Sequence, residues 1–263
     1  MSATGVPVRD ALGAAVDALA AAGCETPRLD AELLIADALD IDRGALIADR
    51  ALAVPSSASR LVGERIRRRV QREPVAYILG RQGFRHNELA VDPRVLIPRP
   101  ETELLVEVAL RLPEGASVHD VGTGSGAVAL ALIDERPDLR VTASDASGAA
   151  VEVARANGLE AAHRSGWPGV SFDLVVANLP YVAEGEWSGL APEIRAFEPR
   201  EALVAGADGL DAIRALVSEA PSGAALALEH APHQAPAVRG LLAEARTLPD
   251  LAGRERVTTG TVP

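Results

Sequence analysis

The chain has 263 residues, 48% hydrophobic and 24% charged, a balance that excludes wholesale disorder and allows one ordinary domain plus a small one. Its 37 acidic residues outnumber 26 basic ones, all arginine, and a net charge of -11 argues against a broad grip on phosphates, so no direct nucleic-acid partner is expected. No apolar run approaches the roughly 20 residues that cross a bilayer, the opening MSATGVPVRDALGAA has no signal-peptide pattern, and the single cysteine, Cys24, supports neither a disulfide nor a zinc site; a metal-free cytoplasmic protein is expected.

Residues 1–72 read as a small all-α unit. Val8 to Ala22 is rich in alanine and leucine and stops at Gly23, a common helix terminator. Pro27 stands where a first-turn proline is tolerated and opens a helix through Leu39. A third helix starts near Ser56 or Ser57 and carries Arg60, Arg65, Arg67, Arg68, Arg69 and Arg72. That run reads either as a solvated face or as a docking surface for an acidic partner.

Residues 73–99 change character. PVAYILG (74–80) and LAVDPRVLIP (89–98) are short β-prone stretches separated by polar residues and prolines, which predicts a β-hairpin linker. From residue 100 to 263 strands and helices alternate. A helix at 101–111 precedes a strand at 117–121, a helix at 125–135 and a strand at 139–144. A helix at 147–156, a weak strand at 160–164 and a strong one at 172–177 follow. A helix at 208–219 and the apolar run GAALALE at 223–229 complete the pattern. Such alternation predicts an α/β domain, a largely parallel sheet with helices on both faces.

Two motifs carry chemistry. In the first, His119-Asp120-Val121 leads into Gly122-Thr123-Gly124-Ser125-Gly126 at a strand-to-helix turn, where glycines allow a sharp bend and close approach of a ligand. Asp145 ends the next strand, placed to accept hydrogen bonds from ribose hydroxyls. This pairing serves both dinucleotides and S-adenosylmethionine; Asp120 suits the amino-acid end of the latter, and no pyrophosphate need be cradled. In the second, the strand Phe172 to Ala177 ends in Asn178-Leu179-Pro180-Tyr181. A planar nitrogen is a poor nucleophile because its lone pair is delocalised. The Asn178 side-chain oxygen and the Leu179 carbonyl can accept its two N–H bonds and favour the charge that develops on it. Pro180 fixes the turn and Tyr181 packs on the acceptor. His119 reads as packing, and His230 and His233 are possible proton acceptors.

Together these motifs resemble the HemK family of protein-(glutamine-N5) methyltransferases, which modify the Gly-Gly-Gln motif of peptide-chain release factors. The resemblance runs through REPVAYILG (72–80), VDPRVLIPRPETE (91–103), DVGTGSGAVALAL (120–132), FEPREAL (197–203), LEH (228–230) and ERVTTG (255–260). It implies a helical substrate-recognition domain, a hairpin linker and a class I, Rossmann-like methyltransferase domain. It also implies that Asp120, the loop Gly122 to Gly126, Asp145 and Asn178 contact S-adenosylmethionine, that Trp167 lies by the adenine, and that Asn178, Leu179, Pro180 and Tyr181 form the catalytic pocket. Leu179 stands where the family has proline, Gly166 precedes Trp167 where an aspartate is usual, and the stretch from Asp145 to Asn178 is shorter. These departures keep open a small planar acceptor, such as an indole or an amine, beside a release factor.

Overall fold

The computed structural model describes residues 5–49 and 52–263. Contacts divide them into two units, one running to Gly80 and including Ala191–Phe197, the other built from Arg81–Leu190 and Glu198–Pro263.

The first unit holds β1 (Val6–Pro7), α1 (Val8–Ala21), α2 (Pro27–Ala38), α3 (Arg43–Ala48), β2 (Ala53–Val54), α4 (Ser56–Val70) and α5 (Val75–Leu79). Gly23 adopts φ +75 just beyond α1, and Pro27 opens α2, as the sequence suggests. Leu19, Ala31, Ile35, Leu46 and Val62 form its core. Two expectations fail here. The β-prone PVAYILG is a helix: the Pro74 carbonyl accepts from Tyr77 and Ile78, Gly80 ends the turn at φ +73, and Ala76, Tyr77 and Ile78 are buried. Burial has overridden a weak propensity. The arginines of α4 and Arg72 just beyond it are not mainly a free surface either. Arg65 pairs with Asp37, Arg68 with Glu73 at 2.6 Å, Arg69 with Asp30 at 2.7 Å, and Arg72 with Glu193 at 2.7 Å. They cross-link the unit.

The second unit opens with a hairpin, β3 (Arg81–Phe84) and β4 (Asn87–Ala90), narrower than the stretch that predicted it. A 3-10 turn at Pro100–Thr102 leads into α6 (Glu103–Ala109). There follow β5 (Ser117–Val121), α7 (Ala127–Glu135), β6 (Arg140–Asp145), α8 (Gly148–Ala156), β7 (Ala161–His163) and β8 (Leu174–Ala177). After α9 (Pro192–Phe197), which belongs to the first unit, come α10 (Asp211–Glu219), β9 (Ala225–Glu229), α11 (Ala235–Arg239), β10 (Ala243–Pro249) and β11 (Glu255–Thr261). One seven-stranded sheet has the order β10-β11-β9-β8-β5-β6-β7, parallel from β9 to β7 and antiparallel at β10 and β11. Alternation along the strands serves two faces. Val176 and Ala227 pack with Leu105, Val128 and Leu132, while Val175, Leu226 and Leu228 pack with Ile213, Leu216 and Val238. The sheet does not end at GAALALE. β10 is a partly exposed edge strand and β11 pairs it to β9, and both are antiparallel strands of mixed polar residues, so no apolar run announces them.

Candidate active site

The sheet register sets the site. Val121 pairs with Ser144 on one side and Ala177 on the other, and Ala177 pairs with Leu228. The next residue on each of these strands is therefore Gly122, Asp145, Asn178 and Glu229, a row across the carboxyl ends of β5, β6, β8 and β9. β5 is where the strand order reverses, and such switch points open a crevice for ligands.

The glycine loop is built by backbone geometry. The Gly122 and Thr123 amides both donate to the Ser144 carbonyl, at 2.9 and 3.0 Å. Gly122 has φ +74, a conformation that strains any residue with a side chain, and a Cβ there would also press on Leu179 Cδ2 at 3.1 Å. Gly126 has φ +90 and turns the chain into α7. Asp145 holds the loop in place, accepting from the Gly124 amide through Oδ2 and from the Ser147 amide through Oδ1, both at 2.8 Å. Asp120 is 2% exposed and accepts from the Thr123 hydroxyl at 2.6 Å. Burial, aided by the charge of Asp145 and opposed by the Thr123 hydroxyl, pushes its carboxyl up to about 7. His119 is packing: its ring nitrogens meet the Thr142 and Ser144 hydroxyls, at 2.7 and 2.9 Å, and burial, then the charge of Arg164, depresses it to about 4.

On the other side, Asn178 Nδ2 donates to the Thr102 hydroxyl at 3.0 Å. The Tyr181 hydroxyl donates to Glu229 at 3.4 Å, and burial followed by the charge of Glu229 raises the phenol. The Tyr181 carbonyl accepts from the Gln234 side chain at 2.8 Å. Two segments singled out separately in the sequence meet here: Arg99 of IPRPETE forms an ion pair with Glu198 of FEPRE, which also accepts from the Ile97 amide at 3.2 Å. His230 is 0% exposed and bonded to the Thr258 hydroxyl at 2.7 Å, so it is a core residue, whereas His233 is exposed beside Glu186 at 3.6 Å.

A cavity of about 510 Å³ lies over Gly122, Asp145 and Asn178 of this row but does not reach Glu229. Asp120, Gly122, Thr123, Gly124, Ser125, Asp145, Asn178, Leu179 and Pro180 all line it. Gly126, Trp167 and Tyr181 do not. Gly126 is spent on the turn, and Trp167 packs on the apolar layer beneath, its amide bonded to Glu219 at 2.9 Å. Tyr181 lines a second hollow with Val182, Glu186, Leu190 and His233. The sequence pattern gave no hint of Thr102, which lines the cavity and accepts from Asn178 76 residues away; Glu229 stays beneath the cavity floor, bonded to Tyr181. Arg164, Ser165 and Gly166 line the cavity where Trp167 was expected. The donor set suits a cationic ligand. Two carboxylates, Asp120 and Asp145, favour the ammonium and sulfonium of S-adenosylmethionine and would repel a pyrophosphate.

Residues 10–80 match the PrmC N-terminal domain, and residues 100–191 match the Methyltransferase small domain. A release factor glutamine methyltransferase of Xylella fastidiosa is 42% identical over 269 residues, covering 93% of this chain and 97% of its own length. One from Pseudomonas aeruginosa is 44% identical over 254 residues, covering 89% of this chain and 92% of its own. Among solved structures, a protein-(glutamine-N5) methyltransferase (release factor-specific) from Alicyclobacillus acidocaldarius is 32% identical and covers 65% of this chain and 98% of its own, with a TM-score of 0.37.

Proposed function

Because the chain belongs to the release factor glutamine methyltransferase family, we propose that it transfers a methyl group from S-adenosylmethionine to the N5 nitrogen of a glutamine in a peptide-chain release factor, within Gly-Gly-Gln. Similarity over nearly the whole length, including the helical unit, supports this reading over a small planar acceptor. The observation that carries it is the row of Gly122, Asp145 and Asn178 across three strand ends, which puts cofactor loop and acceptor loop in one cavity.

Bound there, S-adenosylmethionine supplies an electrophilic methyl group and departs as S-adenosylhomocysteine. Asp120 would hold the ammonium of its amino-acid end, and Asp145, which keeps lone pairs beside its two backbone amides, would hold the ribose hydroxyls. Since Asn178 Nδ2 is engaged by Thr102, its Oδ1 is the atom left to accept from the glutamine amide. The Leu179 carbonyl accepts the second N–H, so the loss of proline at this position leaves the acceptor intact. Held by two acceptors, the nitrogen would be aimed at the methyl group and its growing positive charge stabilised, and as the new N–C bond replaces the sulfonium S–C bond the surplus N–H proton would pass to water. The helical unit serves as the docking part for the protein substrate, and the enzyme works in the cytoplasm, where release factors act.

Asn178→Ala tests this. With labelled cofactor and a release factor, the parent chain should label the Gly-Gly-Gln glutamine. The variant should bind S-adenosylhomocysteine nearly as well but transfer methyl roughly a hundredfold more slowly or worse. Label on small amines or indoles only, or a variant within a few-fold of the parent, would overturn the proposal.

A further inference from the structure

With the ribose of the cofactor on Asp145, its base falls to the next stretch of cavity wall, Arg164, Ser165 and Gly166, just past β7. The Arg164 amide donates to the Asp145 carbonyl at 2.8 Å, so this wall starts directly beside the ribose carboxylate. Adenine is told from a 6-oxo purine by its 6-amino group, a donor that needs an acceptor. A guanidinium cannot accept, and Arg164 Nη1 is already bonded to the Pro168 carbonyl at 2.6 Å.

A carboxylate reaches this wall from behind Gly166. Gly166 has φ +67, and a Cβ built on it would lie 1.9 Å from Glu219 Oε2, 2.8 Å from its Cδ and 3.1 Å from its Oε1. The Glu219 carboxylate therefore occupies the place where a side chain at 166 would begin. Its Oε2 accepts from the Trp167 amide at 2.9 Å, which ties it there, while Oε1 has no partner among the described residues. The side chain is otherwise exposed and free to turn. Glu219 is also the last residue of α10, whose last turn holds no basic residue. A negative charge is unfavourable at that end of a helix, so helix stability does not account for it. The aspartate usual before Trp167 is missing from the sequence, yet a carboxylate arrives at the same spot from 52 residues beyond Trp167.

We propose that Glu219 selects the base of the cofactor: its free Oε1 accepts a hydrogen bond from the adenine 6-amino group, in place of a side chain at 166. The inference rests on the reading that Asp145 holds the ribose and is independent of which acceptor is methylated. A carboxylate can only accept. Against a 6-oxo purine it would face the base oxygen, acceptor against acceptor, so selection comes from repulsion of the wrong base as well as from the bond to the right one.

Calorimetry of the full chain with S-adenosylhomocysteine and with S-inosylhomocysteine, its 6-oxo counterpart, tests this without turnover. The parent should prefer the adenine compound by roughly tenfold to a hundredfold, the worth of a hydrogen bond to a charged group. Glu219→Gln can still accept from the Trp167 amide but can also donate to a base oxygen, and should bring the two affinities within about threefold. Gly166→Ala, which pushes the carboxylate aside and leaves Glu219 intact, should erode the preference in the same way. Gly166→Asp combined with Glu219→Ala returns a carboxylate to the spot, in a backbone conformation that aspartate tolerates, and should restore the preference. The ratio of the two affinities is the deciding quantity, because a purely structural role for Glu219 would weaken both ligands alike. A parental ratio in Glu219→Gln, no preference in the parent, or a preference lost in Ser165→Ala but kept in Glu219→Gln each overturns the proposal. Asp145→Ala should weaken both ligands and leave their ratio unchanged. Were it to weaken neither, the ribose reading would fail, and the ratio in Glu219→Gln would still decide whether this carboxylate reads the base.

Discussion

In the helical unit the guanidinium of Arg69, with a side chain 7% exposed, meets Asp30 at 2.7 Å and Glu193 at 2.9 Å. In the sheet unit the equally buried Asp120 and Glu229 are met by hydroxyls, and no ion pair reaches either among the described residues. The same physics gives the two regions different uses. A buried charge with its counter-charges in place specifies how elements pack, and removing one partner strands the others. A buried carboxylate without a cation costs free energy in the empty protein, and its pKa rises until a ligand or a proton relay uses it. Paired burial marks the scaffold; unpaired burial at strand ends marks the site.

The sharpest break in that comparison comes from Arg69→Ala. It leaves Asp30 and Glu193 buried around a missing cation and should cost about 3–5 kcal/mol, the range for breaking a buried pair from one side. Urea unfolding of the variant measures it. A loss under about 1 kcal/mol, the worth of an exposed pair, would mean that the cluster is solvated and the contrast is false.

Asp120→Asn probes the other region and should behave in the opposite way. The Asn oxygen still accepts from Thr123, and no ionised group remains to be buried, so the unfolding midpoint at pH 8 should hold or rise. Affinity for S-adenosylmethionine should fall by about 1.5–3 kcal/mol, the worth of a hydrogen bond to a charged group, which is roughly tenfold to a hundredfold in Kd. Calorimetry reads the affinity and thermal unfolding the stability. A variant that is less stable yet binds as well as the parent would place Asp120 with the scaffold.

The comparison also explains what was legible in the sequence. The strand at 117–121, the glycine loop, Asp145 and Asn178 were readable because each is declared by its neighbours: an apolar run, a Gly cluster, an acid closing a strand. The register then brings them together. The paired arginines were not readable, because Arg72 and Glu193 are 121 residues apart and nothing local to α4 reveals the partner. Glu229 stands in the sequence only as part of LEH, since its burial and its bond to Tyr181, 48 residues away, are not local. Trp167 drew attention as an aromatic beside the cofactor loop, yet its ring packs on the apolar layer with Phe172 and Leu179. The last two strands, β10 and β11, escaped because antiparallel strands of mixed polar residues carry no continuous apolar signal. Local patterns announce ligand loops; long-range pairing stays hidden.

A further expected effect is the pH dependence of stability, and it separates the two kinds of burial most directly. Asp120 and Glu229 have ordinary values of 3.8 and 4.5 and sit near 7 when folded. Between those limits the folded state binds more protons than the unfolded one, so their contribution to stability is highest below pH 4, falls as pH rises to about 7, and is flat beyond. The parent chain masks this slope. His119 is depressed from 6.5 to about 4 by burial and then Arg164, and His230 is lowered too, chiefly by burial; both bind fewer protons when folded and pull the other way over much of the same window. The difference between Glu229→Gln and the parent removes those histidines, which both chains share. Measured by chemical unfolding at a series of pH values, that difference should be smallest near pH 4 and grow in favour of the variant up to about 7, where it levels off. Growth in the parent's favour would mean that folding lowers the Glu229 pKa, as a close ion pair with Arg256 would do. Glu229 would then join Asp30 and Glu193 among the paired charges, and the division between scaffold and site would no longer follow from burial without a counter-ion.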